Sequence, residues 1–445
     1  MRPWLMALSL SALGVIPQTI RSQQPRSVAG HPSSGFWILG VPAAQDTIWQ
    51  RFTLRFERDS ITGSNGGGNP LHGVLRGDSV RFSLVRGDNG ARVVFAGALR
   101  GDTLRGTRVE TPQGTSAPMP AQVFIATPDV ASRTPRRLTF EPQVFHRAFS
   151  GAVPPALRIV PGDTVRTWSV DAAGRDSTGT ARSPGGNPLT GPFFVEGALA
   201  GDVIAIRLHR VRLNRDYAVA GDGLVFNALT PGYVRGIKEV SDFNSRWRLD
   251  RTRGLAMLEE PTPSLRSFAV PVRPMLGCVG VAPQGGQVIR AQDSGPFGGN
   301  MDYNGIREGV TVYLPVFQRG ALLFMGDGHA LQGDGELTGD ALETSMDIEF
   351  SVELLRQRRI STPRAEDDEF LMAIGISGDL TDALRQATTE LSRWLEADYR
   401  LNAPELASLF GVSMRYDVAD LVGTQVSIVA KMPKAALRGV ERAAR

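Results

Sequence analysis

RVVFAGALRGDTL, residues 92–104, shows in one line how this chain is built. Arg92-Val93-Val94-Phe95 has the β-branched and aromatic content of a strand, and Gly101-Asp102 then turns the chain into Thr103-Leu104. Gly and Asp suit this place because they tolerate the positive φ of tight hairpins. The unit recurs as Gly77-Asp78-Ser79-Val80 and, more loosely, as Asp59-Ser60-Ile61-Thr62-Gly63, while Thr53-Leu54-Arg55-Phe56 repeats the strand pattern. Residues 47–126 therefore read as a small antiparallel β meander or half barrel, an accessory domain whose function the sequence does not express.

Upstream, residues 25–46 are rich in Gln, Pro, Ser and Gly without periodicity and read as a tether. Before them, Met1-Arg2-Pro3, an apolar stretch from Trp4 to Pro17 and a polar segment read as a signal peptide over residues 1–24, so the protein is expected to be exported to the periplasm or secreted. Nothing later is long and apolar enough to suggest a membrane span. Downstream, Ala131 to Arg137 is a polar linker, and residues 131–445 form the larger domain. It stays strand-rich to about Leu355, with turns at Pro161-Gly162-Asp163 and Ala200-Gly201-Asp202. Leu380, Leu384, Ala387, Leu391, Trp394 and Leu395 then recur at helical spacing behind a cap at Asp379 or Thr381, and a second helix starts near Pro404. Strands over Ser413 to Val418 and Gln425 to Ala430 close the chain. The fold class is thus mainly β with a C-terminal α+β portion.

Composition narrows the function. The chain has 445 residues, 42% hydrophobic and 21% charged, enough to bury a core in two or three domains. Its 49 basic and 45 acidic residues are interspersed, so nucleic acid is not expected as a partner. Lysine occurs only at Lys238, Lys431 and Lys434, which argues against amidase sites built on a Glu-Lys-Cys or Ser-Ser-Lys set. The one cysteine, Cys278, lies in an apolar run and reads as a buried core residue. Ser294 lacks a nucleophile-elbow pattern.

The densest chemistry is Gly326-Asp327-Gly328-His329-Ala330-Leu331-Gln332-Gly333-Asp334-Gly335-Glu336. In extended backbone Asp327 and His329 project together, as do Gln332, Asp334 and Glu336. Such carboxylates repel unless protons or a cation neutralise them, and the mixture with imidazole suits zinc or a similar divalent ion. Upstream, Gly298-Gly299-Asn300-Met301-Asp302 offers backbone N–H groups as an oxyanion site. His209 reads as an exposed strand residue, and His31 and His72 carry no role.

Together, GGNMD, YLPV and GALLFMGDGHALQGDGELTGDALE resemble the acetamidase/formamidase family. The resemblance extends to PGDTVRTWSVDA from Pro161, NPLTGPFFVEGALAGD from Asn187 and MLGCVGVAP from Met275, covering roughly Leu138 to Pro433. It implies a β-sandwich-like, commonly oligomeric amidohydrolase with a divalent metal. Matching positions carry over His146, Asp171, Glu196, Asp302, Asp327, His329, Asp334, Glu336 and Glu343. One departure is the first histidine, which sits in Gln143-Val144-Phe145-His146-Arg147 where many relatives have a Thr-Val-His-Trp-Gly-like context. The expected reaction is hydrolysis of a small linear amide to a carboxylate and ammonia by metal-activated water. Metal ligands would come from His146, Asp171, Asp327, His329 and Asp334. Glu196, Asp302 or Glu336 would act as base, with Gly298, Gly299 and Asn300 around the oxyanion and Gln332 and Glu343 alongside. Lactam opening is the alternative chemistry. A non-enzymatic, calcium-stabilised envelope protein is the alternative class, which His329 argues against because calcium prefers an all-oxygen shell.

Overall fold

The computed structural model describes residues 32–43, 46–129, 134–237 and 245–443. The signal-peptide segment 1–24 and His31 lie outside them. No helix among the described residues is long and apolar enough to cross a membrane.

Eight antiparallel strands in chain order close a barrel: Gly35–Pro42, Thr47–Glu57, Ser60–Asn65, Pro70–Arg76, Ser79–Val85, Arg92–Arg100, Thr103–Thr111 and Gln122–Pro128. The expected tether is corrected here, because Gly35–Pro42 pairs with both the second strand and the last, Leu39 standing opposite Ala126. That strand turns a half barrel into a closed one and leaves no open edge. Eight strands enclose a lumen that side chains can fill. Trp37, Phe52, Leu71, Phe82, Phe95, Leu104 and Phe124 fill it, with Phe82 and Phe95 stacked at 4.7 Å between centroids.

The rest of the chain forms two sheets face to face. One runs, in strand order, through Arg246–Asp250, Tyr217–Val219, Glu343–Thr344, Leu323–His329, Met275–Gly280 and Gly298–Asn300. The other contains Val426–Pro433, Phe370–Ser377, Thr311–Pro315, Val203–Leu213, Met346–Leu355 and Thr164–Ser169. Leu276, Cys278, Leu323 and Met325 of the first share a core with Ile204, Ile206, Leu314, Ile348 and Phe350 of the second, which is the packing of a β-sandwich. The helix Leu380–Tyr399 starts at Asp379, whose side chain accepts from the N–H groups of Thr381 and Asp382. Its Ala387, Leu391, Trp394 and Leu395 cover the outer face of Phe370–Ser377 and Val426–Pro433. Leu380 and Leu384, grouped with that face by spacing, are 45% and 40% exposed.

The barrel is fastened to the sandwich by Arg51, buried at 7% exposure. Its guanidinium donates to both Asp202 carboxylate oxygens at 3.1 and 2.8 Å and to the Gly197 carbonyl at 2.7 Å, with Asp129 at 3.4 Å.

Candidate metal centre and active site

The strand Leu323–His329 ends the sandwich with Asp327 and His329, both almost fully buried. The turn after Gly298–Asn300 brings Asp302, the neighbouring short strand Glu343–Thr344 brings Glu343, and the loop after Gln332 brings Glu336. Asp302, Asp327 and Glu336 have φ of 41°, 56° and 48°. Left-handed backbone is uncommon for side chains of this kind, and its concentration here marks strained backbone around the cluster.

His329 Nε2 lies 3.0 Å from Glu343 Oε1, 3.6 Å from Asp327 Oδ1 and 4.0 Å from Asp302 Oδ1. Its other nitrogen, Nδ1, is 2.9 Å from Gln332 Oε1. Gln332 is oriented by its Nε2, which donates to the carbonyls of Asp302 at 2.5 Å and Ala419 at 3.3 Å. Its Oε1 must therefore accept from Nδ1–H, which leaves the Nε2 lone pair of a neutral imidazole facing the carboxylates.

Each aspartate has one oxygen tied and one free. Asn300 donates from Nδ2 to Asp302 Oδ2. Asn187 donates to Asp327 Oδ2 at 2.7 Å and to Asn300 Oδ1 at 3.1 Å. The remaining oxygens, Asp302 Oδ1 and Asp327 Oδ1, are buried without a hydrogen-bond partner, as are Glu343 Oε2 and His329 Nε2. Buried polar atoms are seldom left so, and a convergent set of them calls for a shared counter-charge. Asp302, Asp327 and His329 place one donor atom each within 4.8 Å of one another, as do His329, Glu336 and Glu343. Among the described residues these are the sets able to hold a metal ion, and their donors fit a divalent cation.

The electrostatics agree. Burial, reinforced by neighbouring carboxylates, drives Asp302 and Glu336 well above the usual carboxylate range. Burial raises Glu343 to about 7 and Asp420 to about 6. Burial opposes charge on His329, but Glu343 and Asp327 outweigh it and hold the imidazole well above its ordinary value. A proton at Nε2 and a cation at the same point answer the same need.

Other expected site residues are elsewhere. Asp334 is exposed and accepts from Asn304 at 2.8 Å, because the chain after His329 is not extended and the alternation fails. Glu196 lies beyond the far end of Leu189–Val195, whose Leu189 pairs with Gly326, and it is bound to Arg158 at 2.7 Å. At ~3.3 Å per residue that is roughly 20 Å away, which removes it as a base. Asp171 pairs with Arg215 at 2.7 Å at the edge of the site. His146 packs edge-on against Phe324 at 6.0 Å and belongs to neither ligand set. Gly298 and Gly299 pair with strands on both sides and Asn300 N–H donates to Asp293, so the expected oxyanion donors are committed to the ladder.

Three participants escaped the sequence reading. Cys278 places Sγ 2.7 Å from Asn300 Oδ1 and 3.7 Å from Asp327 Oδ2, and burial pushes its thiol well above the ordinary value, so it is a neutral donor. Asn187 comes from a distant loop and Asp420 from the end of the strand Arg415–Asp420, and only Asn187's place in a Gly-Gly-Asn run hinted at a turn. A cavity of ≈ 610 Å³ opens beside the cluster, bordered by Glu343, Asn187, Asp340, Asp171, Tyr217 and Arg246 among others.

The sequence profile of the Acetamidase/Formamidase family matches residues 281–392, a span that holds Asp302, Asp327, His329, Gln332, Glu336 and Glu343. In structure the chain is similar to a predicted acetamidase/formamidase from Thermoanaerobacter tengcongensis, at 26% identity and TM-score 0.59 over 69% of this chain and 99% of that one. It is similar to an acetamidase from Yersinia enterocolitica at 27% identity and TM-score 0.59, over 69% of this chain and 96% of that one. An acetamidase from Bacillus halodurans shares the fold at 24% identity and TM-score 0.58, over 68% of this chain and 99% of that one. No curated protein matches the chain. Over residues 281–392 in sequence, and over the larger domain in fold, the chain is thus similar to the acetamidase/formamidase family.

Proposed function

We propose that the protein hydrolyses carboxylic amides to a carboxylate and ammonia at the His329 cluster, with a divalent cation. The observation that carries this is the convergence of His329 Nε2, Asp302 Oδ1 and Asp327 Oδ1, all buried and without a hydrogen-bond partner, behind Glu343 and Asn187, which border a cavity. These three residues would hold the ion, and an imidazole among carboxylates favours zinc over calcium. A bound divalent cation supplies Lewis-acid polarisation of the amide carbonyl and lowers the pKa of water.

The protein's own groups do the rest. Gln332 fixes the tautomer of His329, and Asn187 and Asn300 aim the aspartates by tying their outer oxygens. Glu343 borders the cavity and keeps Oε2 unpartnered, so it is the group placed to take a proton from the attacking water. It returns that proton to the amide nitrogen as the carbon–nitrogen bond breaks. Ammonia release from acetamide and the metal content of Glu343→Gln test the assignment. The variant should keep its metal and lose turnover by about 100-fold or more, the usual scale for a general acid–base group. Loss of metal together with turnover would make Glu343 a ligand, and full activity would remove it from the mechanism.

A further inference from the structure

Arg215 carries a charge into the sandwich at 3% exposure, in the loop between Val203–Leu213 and Tyr217–Val219. An arginine cannot shed its proton, so the cost of burying it has to be met by the groups around it. Nε donates to the Tyr217 carbonyl at 3.0 Å, and Nη2 donates to the Glu343 carbonyl at 3.1 Å. Nη1 lies 2.7 Å from Asp171 Oδ2, whose side chain is 5% exposed. The guanidinium carbon stands 4.1 Å from the centroid of the Tyr217 ring.

These bonds converge on the backbone that carries Glu343. Its strand, Glu343–Thr344, is two residues long, with Glu343 opposite His329 on one side and Val219 on the other. Val219 ends the three-residue strand Tyr217–Val219, whose Tyr217 carbonyl also accepts from Thr344 Oγ1 at 3.1 Å. Strands this short carry few ladder bonds of their own. The planar fork of Arg215 bridges both strands and ties them to Asp171, a geometry that a lysine cannot reproduce. Asp171 is held in turn by the Arg175 N–H, 2.7 Å from its Oδ1, and it belongs to neither ligand set.

We propose that Arg215 and Asp171 are positioning residues that hold Glu343 against His329 and the cavity. Asp171 thus serves the reaction through Arg215 and not as a ligand of the cation. The proposal rests on the reading of Glu343 as the acid–base group.

The test is kcat, KM, metal content and melting temperature of the full-length protein with acetamide, assayed well below the melting temperature of each variant. Arg215→Ala should keep its metal and lose about 100-fold in kcat with little change in KM, the scale expected when a reacting group shifts by ~1 Å. Asp171→Asn should lose kcat in the same way, and the double variant should be no slower than Arg215→Ala, because the two act as one unit. Asp171 and Tyr217 border the cavity, which gives soluble guanidinium a way in. Millimolar guanidinium should therefore restore part of kcat to Arg215→Ala and none to Glu343→Gln. If Arg215→Ala does not fold, the nearly isosteric Asp171→Asn decides alone. Wild-type kcat in either folded variant, losses that multiply in the double variant, no response to guanidinium, or loss of metal from Asp171→Asn would overturn the proposal and leave amide hydrolysis intact. Wild-type turnover by Glu343→Gln would overturn the acid–base reading and the proposal with it.

Discussion

Gly277 faces the two aspartates of the site. A methyl group there would collide with Asp302 Oδ1 and stand 2.7 Å from Asp327 Oδ2. Asp302 Oδ1 belongs to the proposed cation site and Asp327 Oδ2 is the oxygen that Asn187 ties, so Gly277→Ala should displace both carboxylates while the strand pairing survives. A displacement near 1 Å is enough to cost about 100-fold in rate. Turnover and metal content measured on the folded variant check this, and wild-type values for both would show that the carboxylates need not lie so close. At this scale the sequence was legible where the chemistry was dense: Asp302, Asp327, His329, Gln332 and Glu336 meet in the structure. It misled where backbone departs from regular alternation, as at Asp334. Cys278 was hidden by its apolar neighbours, since what it touches lies across strands and not along them.

Strands and helices were easier to read than the gaps between them. The Gly-Asp turns at Gly77 and Gly101 do have positive φ, 59° and 57°, and the helix cap falls on Asp379. Phe36-Trp37-Ile38-Leu39 was missed because Gln, Pro and Ser around it dominate the composition of residues 25–46. Another turn, at Asp163, binds two elements: its carboxylate accepts from Arg136 N–H at 2.7 Å, the Arg136 guanidinium at 2.7 Å and Val160 N–H at 3.0 Å. Burial works against its charge, but these donors outweigh it and lower its pKa below the ordinary 3.8. A depressed pKa stabilises the fold above the unfolded value and ceases to do so as pH falls through the folded one. Asp163→Asn should therefore cost about 1 to 3 kcal/mol near neutrality. In denaturant titrations that difference should shrink below about pH 4; a difference independent of pH would assign the loss to packing.

Across the whole molecule, the barrel and the sandwich are joined through charge that is out of reach of solvent. Arg51, Asp202 and Asp129 are each buried, so separating the two parts would leave acidic groups that were folded around a partner. The composition and turn pattern predicted a β-rich chain in two parts, but not that interface, because it depends on single residues 151 positions apart. The sandwich in turn sets two strand ends and several loops around one imidazole, and the proposed reaction depends on that arrangement holding a cation. The most direct test is ammonia release from acetamide by the full-length protein, measured with its metal content, before chelation, after it and after zinc is restored. Bound metal, turnover that falls by several orders of magnitude when the metal is stripped, and recovery with zinc are the predicted result; undiminished turnover by metal-free protein would contradict it.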